Sequence, residues 1–229
     1  MDGLDCCYAD INIIDNVIKY NIIKYSTVSF TEKIKNSISR IIGSDNEKEI
    51  LNVNKELGIE FLHIVRDFIE EQHIELICMH GQTVTHIDNI KTRQIGDPKY
   101  LFEYYNIPII YDFRTQDILL GGNGAPLVPY LDWLLSRRNN ESVLTINLGG
   151  IANITYIDKI SSRDKVIGFD TGPGMCLIDQ YVQKHWGLDY DLNGEIAKNG
   201  KINNDLLNEL LRHPFLQKKF PKSTSREEF

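Results

Sequence analysis

The chain has 229 residues, with 25 Lys and Arg against 32 Asp and Glu, a formal net charge of −7. Its 42% hydrophobic content is too high for a disordered chain and sufficient for a buried core, in one large domain or two small ones. The acidic balance argues against a nucleic-acid surface, and no apolar run reaches transmembrane length, so neither nucleic acid nor membrane is expected as a partner.

Residues 7 to 30 read as two strands around a turn at Asp15-Asn16, with Tyr8, Ile11, Ile13 and Ile14 in the first. Ser29-Phe30-Thr31-Glu32 has the form of a capping box and opens a helix with Ile34, Ile38, Ile41 and Ile42 on one face. A longer helix is expected from about Glu47 to Gln72, burying Leu57, Phe61, Ile64, Val65, Phe68 and Ile69. Ile74 to Met79 reads as a strand that releases His80-Gly81-Gln82-Thr83. Val84 to Ile95 reads as a hairpin, Tyr100 to Tyr105 as a helix, and Ile107 to Tyr111 as a strand that releases Asp112-Phe113-Arg114. The loop Gly121-Gly122-Asn123-Gly124-Ala125-Pro126 precedes a helix to Leu135.

Ser136-Arg137-Arg138-Asn139-Asn140-Glu141 is the best linker candidate, which divides the chain into 1–137 and 142–229 with a linker at about 136–142. The pattern then restarts with a strand at Val143–Leu148, a return at Ile151–Ile157 and a third strand at Lys165–Phe169. Asp170 is expected at the carboxyl end of that third strand, before a glycine turn. A helix follows with Leu177, Ile178, Tyr181, Val182 and Trp186 on one face. Strand hairpins followed by helices, twice over, suggest two related α/β lobes.

The cysteines, Cys6, Cys7, Cys78 and Cys176, include no CxxC pair, which argues against zinc. Cys78 and Cys176 lie in apolar stretches and read as buried small hydrophobes of a reduced, cytoplasmic protein. The basic group Lys218, Lys219 and Lys222 reads as a solvated helix end.

Four loops leave carboxyl ends of expected strands: His80 to Thr83, Asp112 to Arg114, Asn147 to Gly150 and Asp170 to Gly172. Open α/β sheets bind ligands there, and glycine turns let backbone N–H groups approach an anion. Arg114 has the fork geometry for a carboxylate or phosphate. Taken singly, Asp170 reads as a helix cap, His80 as a satisfied structural histidine and Arg114 as a surface ion pair. Their convergence on one cleft would make them a site.

Long motifs carry a resemblance. They are Met1-Asp2-Gly3-Leu4-Asp5, His80 to Thr83, Asp112 to Arg114, Gly121 to Pro129, Asn147 to Asn153, Gly168 to Gly174, and Pro221-Lys222-Ser223-Thr224-Ser225-Arg226-Glu227. In order and spacing this set resembles the anhydro-N-acetylmuramic acid kinases, of the sugar kinase, Hsp70 and actin superfamily. The resemblance implies an α/β fold of two ribonuclease-H-like lobes that close over ATP. It implies phosphorylation of the 6-oxygen of 1,6-anhydro-N-acetylmuramic acid while water opens the anhydro bridge at C1. Asp170 matches the base that deprotonates this water, and an unperturbed Asp is ionised at neutral pH. His80, Gln82, Thr83, Arg114 and Thr171 match residues facing the amino sugar. Gly149, Gly150 and Asn153 match the second phosphate loop. Asp2, Gly3 and Asp5 match the tail of the first, with Asp2 as the residue toward Mg. ATP and Mg are the implied cofactors, and a homodimer is suggested.

The family's first phosphate loop reads Gly-x-Met-Ser-Gly-Thr-Ser-x-Asp-Gly-x-Asp after a strand, and this sequence opens at x-Asp-Gly-x-Asp. Both lobes are therefore expected to be incomplete: the first lacks its first strand, and the second lacks its later glycine-rich adenosine loop. Lys222-Ser223-Thr224 has no preceding glycine run, so a P-loop reading fails. Three readings stay open: a piece of the kinase impaired in ATP binding, one half of a split enzyme, and a non-catalytic sugar- or muropeptide-binding remnant.

Overall fold

Alternating β-branched residues make the first element a long two-stranded ribbon. The structure is a computed structural model that describes residues 3–14, 17–138, 140–160, 162–224 and 228–229. The expected turn at Asp15-Asn16 lies outside the described residues. Contacts group the chain into two compact units, Met1–Ala125 and Pro126–Phe229. Both are mixed α/β.

In the first unit, β1 (Gly3–Ile14) pairs antiparallel with β2 (Val17–Ser29). Cross-strand pairing puts Ile11 with Tyr20 and Ala9 with Ile22 on one face, and the larger three of these side chains are more than half exposed. Helix α1 (Glu32–Ile41) is capped by Thr31, whose Oγ1 accepts from the Ile34 N–H at 3.4 Å. The cap therefore falls two residues after the expected Ser29, because strand pairing extends through Ser29. Ile34, Ile38 and Ile41 are buried while Ile42 is left outside.

Asn46 caps α2 (Glu47–Ile69), whose Leu57, Phe61, Ile64, Phe68 and Ile69 enter the core with Val65 partly buried. The helix stops before Gln72, at Glu70 with φ 56°. The strands expected over 74–79 and 107–111 shrink to β3 (Ile77–Cys78) and a parallel partner, Ile109–Ile110, with the Ile77 and Met79 N–H groups donating to Pro108 O and Ile110 O at 3.1 and 2.9 Å. Between them lie the hairpin β4 (Gln82–Ile87) with β5 (Lys91–Ile95), and α3 (Lys99–Tyr105). The Ile109–Ile110 strand is β6. Cys78 is exposed and not buried as expected, because Ile77 takes the inward side of this short strand. A further helix that the pattern did not announce, α4 (Phe113–Leu119), follows β6.

The second unit opens with α5 (Val128–Ser136). It also holds a three-stranded antiparallel sheet in the order β7 (Val143–Leu148), β8 (Ile151–Ile157), β9 (Ile167–Pro173). The Asp132 carboxylate on α5 accepts from Thr145 Oγ1 at 2.7 Å and from Thr155 Oγ1 at 2.6 Å, and Thr155 is only 1% exposed. These bonds tie α5 to the sheet. The division between the units accordingly falls at Ala125–Pro126, ahead of the 136–142 stretch read as a linker. Helix α6 (Cys176–Trp186) buries Cys176 and Val182, while Ile178, Tyr181 and Trp186 stay exposed. Two further helices, α7 (Asn204–Leu210) and α8 (Pro214–Gln217), follow, and Phe215 of α8 is fully buried.

Asp132→Ala removes the acceptor of two hydroxyls, one of them buried. It should lower stability by about 2–3 kcal/mol, in the range for a buried polar group left unpaired. Both tryptophans, Trp133 and Trp186, lie in the second unit, so urea denaturation followed by tryptophan fluorescence reads this loss directly.

Candidate functional site

The parallel pair β3–β6 releases two segments side by side. His80 comes from β3, and Arg114 from the first turn of α4 after β6. Arg114 Nε donates to His80 Nε2 at 2.7 Å, and its Nη1 donates to the Gly124 carbonyl at 2.8 Å. His80 Nδ1 lies 2.7 Å from the Gly81 carbonyl. An arginine only donates, so Nε2 must accept and Nδ1 must carry the proton. The ring is therefore neutral. Loss of solvation pushes the His80 pKa down, and the Arg114 charge adds to the effect.

Gly124 closes the network. Its N–H donates to Asp117 Oδ2 at 2.7 Å, so two residues of α4 hold both backbone groups of one loop residue. A Cβ at Gly122 would run into the same Asp117 carboxylate, which is why glycine stands there. Asp117 was not among the expected site residues. Its signal was a short run of helix-compatible residues, Phe113 to Leu119, before the glycine loop.

Gln82 and Thr83 open β4. Thr83 Oγ1 accepts from Gln94 Nε2 at 3.1 Å, across the hairpin, and the Gln82 amide donates to the Thr83 carbonyl at 3.2 Å. A cavity of about 320 Å³ lies in this unit, lined by His80, Gly81, Gln94, Gly96, Asp112 and Thr115 among others. Asn54 of α2 fixes its wall by accepting from the Gly96 N–H at 2.9 Å. Gly3 and Asp5 lie on β1, where the Asp5 carboxylate accepts from Thr27 Oγ1 at 2.5 Å and Tyr25 OH at 3.3 Å. Asp2, expected as a phosphate-loop and metal residue, lies outside the described residues, as do Ser225, Arg226 and Glu227. Among the described residues no group of three or more His, Cys, Asp or Glu could hold a metal ion.

In the second unit, Asp170 does not follow a strand, as expected, but lies within one. Strand β9 continues to Pro173 because β8 supplies partners all the way to Ile151. Asp170 stands opposite Asn153, and Gly172 opposite Ala152, which leaves Thr171 as the extra residue of a β-bulge. Thr171 Oγ1 donates to the Ala152 carbonyl at 3.1 Å, and Gly172 has φ 153°. The Gly149–Gly150 turn joins β7 to β8, and its carbonyls accept from the start of α6. Gly150 O takes the Gly174 and Cys176 N–H groups at 2.9 and 3.1 Å, and Gly149 O takes that of Met175 at 2.8 Å. A Cβ on Gly174 would collide with Gly149 O. At Gly149 a Cβ would meet only ordinary contacts, Ile151 O at 3.6 Å and Asn147 Nδ2 at 3.7 Å. Asp170, Asn153, Thr171 and the glycine turn thus form one group.

His80 should appear as the Nδ1–H tautomer in ¹⁵N spectra at pH 7 and titrate below its ordinary value of about 6.5. Because its folded pKa is depressed, the unfolded chain binds more protons below about pH 6.5. Stability is complete above that pH and falls as the pH drops through the folded pKa, where Nε2 ceases to accept from Arg114. A midpoint at or above 6.5 would contradict the geometry.

A family model of anhydro-N-acetylmuramic acid kinases matches residues 1–229. Curated anhydro-N-acetylmuramic acid kinases of Bacillus cereus (strain G9842), Bacillus anthracis (strain A0248) and Bacillus thuringiensis (strain Al Hakam) are each 38% identical to the chain over 242 residues. These alignments cover 100% of the chain and 63% of each relative, so it spans less than two thirds of their length. With a match that extends over all 229 residues, the chain belongs to the anhydro-N-acetylmuramic acid kinase family.

Proposed function

We propose that this chain carries the sugar-facing residues and the base of a kinase that converts 1,6-anhydro-N-acetylmuramic acid, ATP and water into N-acetylmuramic acid 6-phosphate and ADP. The observation that carries the reading is the register of β8 and β9, with Asp170 opposite Asn153 in the group that includes the Gly149–Gly150 turn. A carboxylate for water and a glycine turn for phosphate are the two parts this reaction needs together. The reading includes two ribonuclease-H-like lobes, a cytoplasmic homodimer and a place in cell-wall amino-sugar recycling.

In the reaction the water oxygen bonds to C1 while the C1–O6 bond breaks. O6 bonds to the γ-phosphorus of ATP, and ADP leaves. Asp170 takes the water proton and later returns it to solvent. Such a base is typically worth roughly 10²–10⁴-fold in rate. His80, Gln82, Thr83, Arg114 and Thr171 are the residues for the sugar. Two of the five N–H donors of Arg114 are used by His80 and Gly124, and the fork suits the substrate's carboxylate.

Gly149, Gly150 and Asn153 are the residues for the ATP phosphates. The fold does not require glycine at Gly149, since a Cβ fits there; close approach of a phosphate does require it. Mg²⁺ carried on ATP needs only one or two protein carboxylates. Asp2 is the residue assigned to it, and the ion would offset charge on the phosphates.

Three measurements test the reading. Asp170→Asn should abolish nearly all phosphate transfer to the sugar and leave sugar binding intact; turnover within about tenfold of the parent would exclude a general base there. Arg114→Ala should weaken sugar binding, and an unchanged affinity would leave Arg114 a structural residue. Calorimetry of the 229-residue chain with millimolar Mg-ATP should show very weak binding or none, because the sequence contains no Gly-Thr-Ser loop. Turnover is followed in this chain and, where it is too slow, in one extended at both ends to the relatives' length. Sugar binding without transfer in either form would instead establish a non-catalytic binder.

A further inference from the structure

The segment Lys222-Ser223-Thr224 is not among the residues assigned to sugar or phosphate, yet it lies directly on Asp170. The Asp170 N–H donates to the Lys222 carbonyl at 2.9 Å, along the edge of β9 that β8 does not use. The Thr224 N–H donates to Asp170 Oδ2 at 2.9 Å. One short segment therefore holds both the backbone and the carboxylate of the same residue.

The segment is anchored on either side of these bonds. The Phe220 ring stacks on Phe169 with centroids 5.3 Å apart. Lys222 Nζ donates to the carbonyls of Phe215 and Leu216 at 3.0 and 3.3 Å, and lies 4.4 Å from the centroid of the buried Phe215 ring. Thr224 Oγ1 donates to Glu228 Oε2 at 2.6 Å, and Lys218 Nζ bonds the other oxygen of that carboxylate at 2.8 Å. These contacts fix where the Thr224 N–H points.

A base must keep a carboxylate oxygen within about 2.6–3.2 Å of the proton it removes. A carboxylate on a single χ1 bond has several staggered rotamers open to it. A backbone donor on one oxygen selects one rotamer and sets the plane of the other oxygen. We propose that Lys222–Thr224 is the positioning element of Asp170, with Thr224 as the residue whose N–H fixes its carboxylate. The basic side chain that invites a phosphate-loop reading instead ties this strap to α8. The inference rests on the kinase reading for the carboxylate's task and on the hydrogen bonds for its geometry.

The test uses the 229-residue chain and needs no turnover, so it fails independently of the kinase reading. Three-bond side-chain couplings should show a single χ1 rotamer for Asp170 in the parent and in Thr224→Val, which keeps the N–H. They should show a larger share of other rotamers in Thr224→Pro, which lacks it. Asp170 couplings unchanged from the parent in folded Thr224→Pro would overturn the proposal. Should that variant not fold, Asp170→Ala and Asp170→Asn decide. Amide exchange at Thr224 should accelerate about tenfold or more in Asp170→Ala, the fold-change expected for losing a hydrogen bond to a charged group. It should stay near the parent value in Asp170→Asn, whose Oδ1 still accepts. Equal Thr224 exchange in the parent and Asp170→Ala would overturn the proposal as well.

Discussion

Backbone pairing between β8 and β9 decides where Asp170 can stand, and the second unit is arranged around that pairing. β8 is the middle strand, so its register is set on both sides: Asn147 opposite Asn153 toward β7, and Asp170 opposite Asn153 toward β9. Asn153 is thereby fixed relative to the glycine turn and to the carboxylate at once. The outer edge of β9 is not left unpaired at Asp170, since Lys222 O takes its N–H. Helix α5 adds a polar clamp from the other direction through Asp132, which is bonded to a threonine on each of β7 and β8.

The first unit depends on a different device. The segments that carry His80 and Arg114 come from strands only two residues long, too short to hold side chains by pairing alone. Charge-assisted and polar bonds do that instead. Arg114 is the hinge pin, reaching His80 on one side and the glycine loop on the other. A protonated His80 would face the guanidinium cation with no lone pair to offer, so the arrangement and the neutral ring require each other. The long helix α2 packs on the end of β5, with Asn54 on Gly96 and Phe61 packed where a Cβ of Gly96 would otherwise sit.

The helices and hairpins were legible because their signals are local. The 3.6-residue spacing of Leu57, Phe61, Ile64 and Phe68 specifies α2 without reference to anything else, and the alternation in β4 and β5 does the same for a hairpin. Strand ends were not legible, since a strand lasts as long as its partner does: β3 and β6 stop early and β9 runs on through Gly172. Asp170-Thr171-Gly172-Pro173 has the composition of a turn, and only the presence of β8 beside it makes it a strand. The residues grouped around His80 and Asp170 were found by motif, since side-chain identity travels with a long motif. The bond from Thr224 was not found, because a main-chain N–H is the same in every residue but proline and leaves no mark in the sequence.

The bulge at Thr171 sets a limit on how this region can vary in length. Successive side chains of a strand point to opposite faces, so removal or addition of one residue between Gly168 and Gly172 reverses the face of every residue before the change relative to every residue after it. Asp170 would then face the side now given to its neighbours, with its composition unaltered. The connection between β8 and β9, residues 158–166, carries no such parity, and chain length can be gained or lost there without moving the carboxylate. Homologous sequences aligned to this one should therefore place their gaps in that connection and keep a constant count from Gly168 to Gly174.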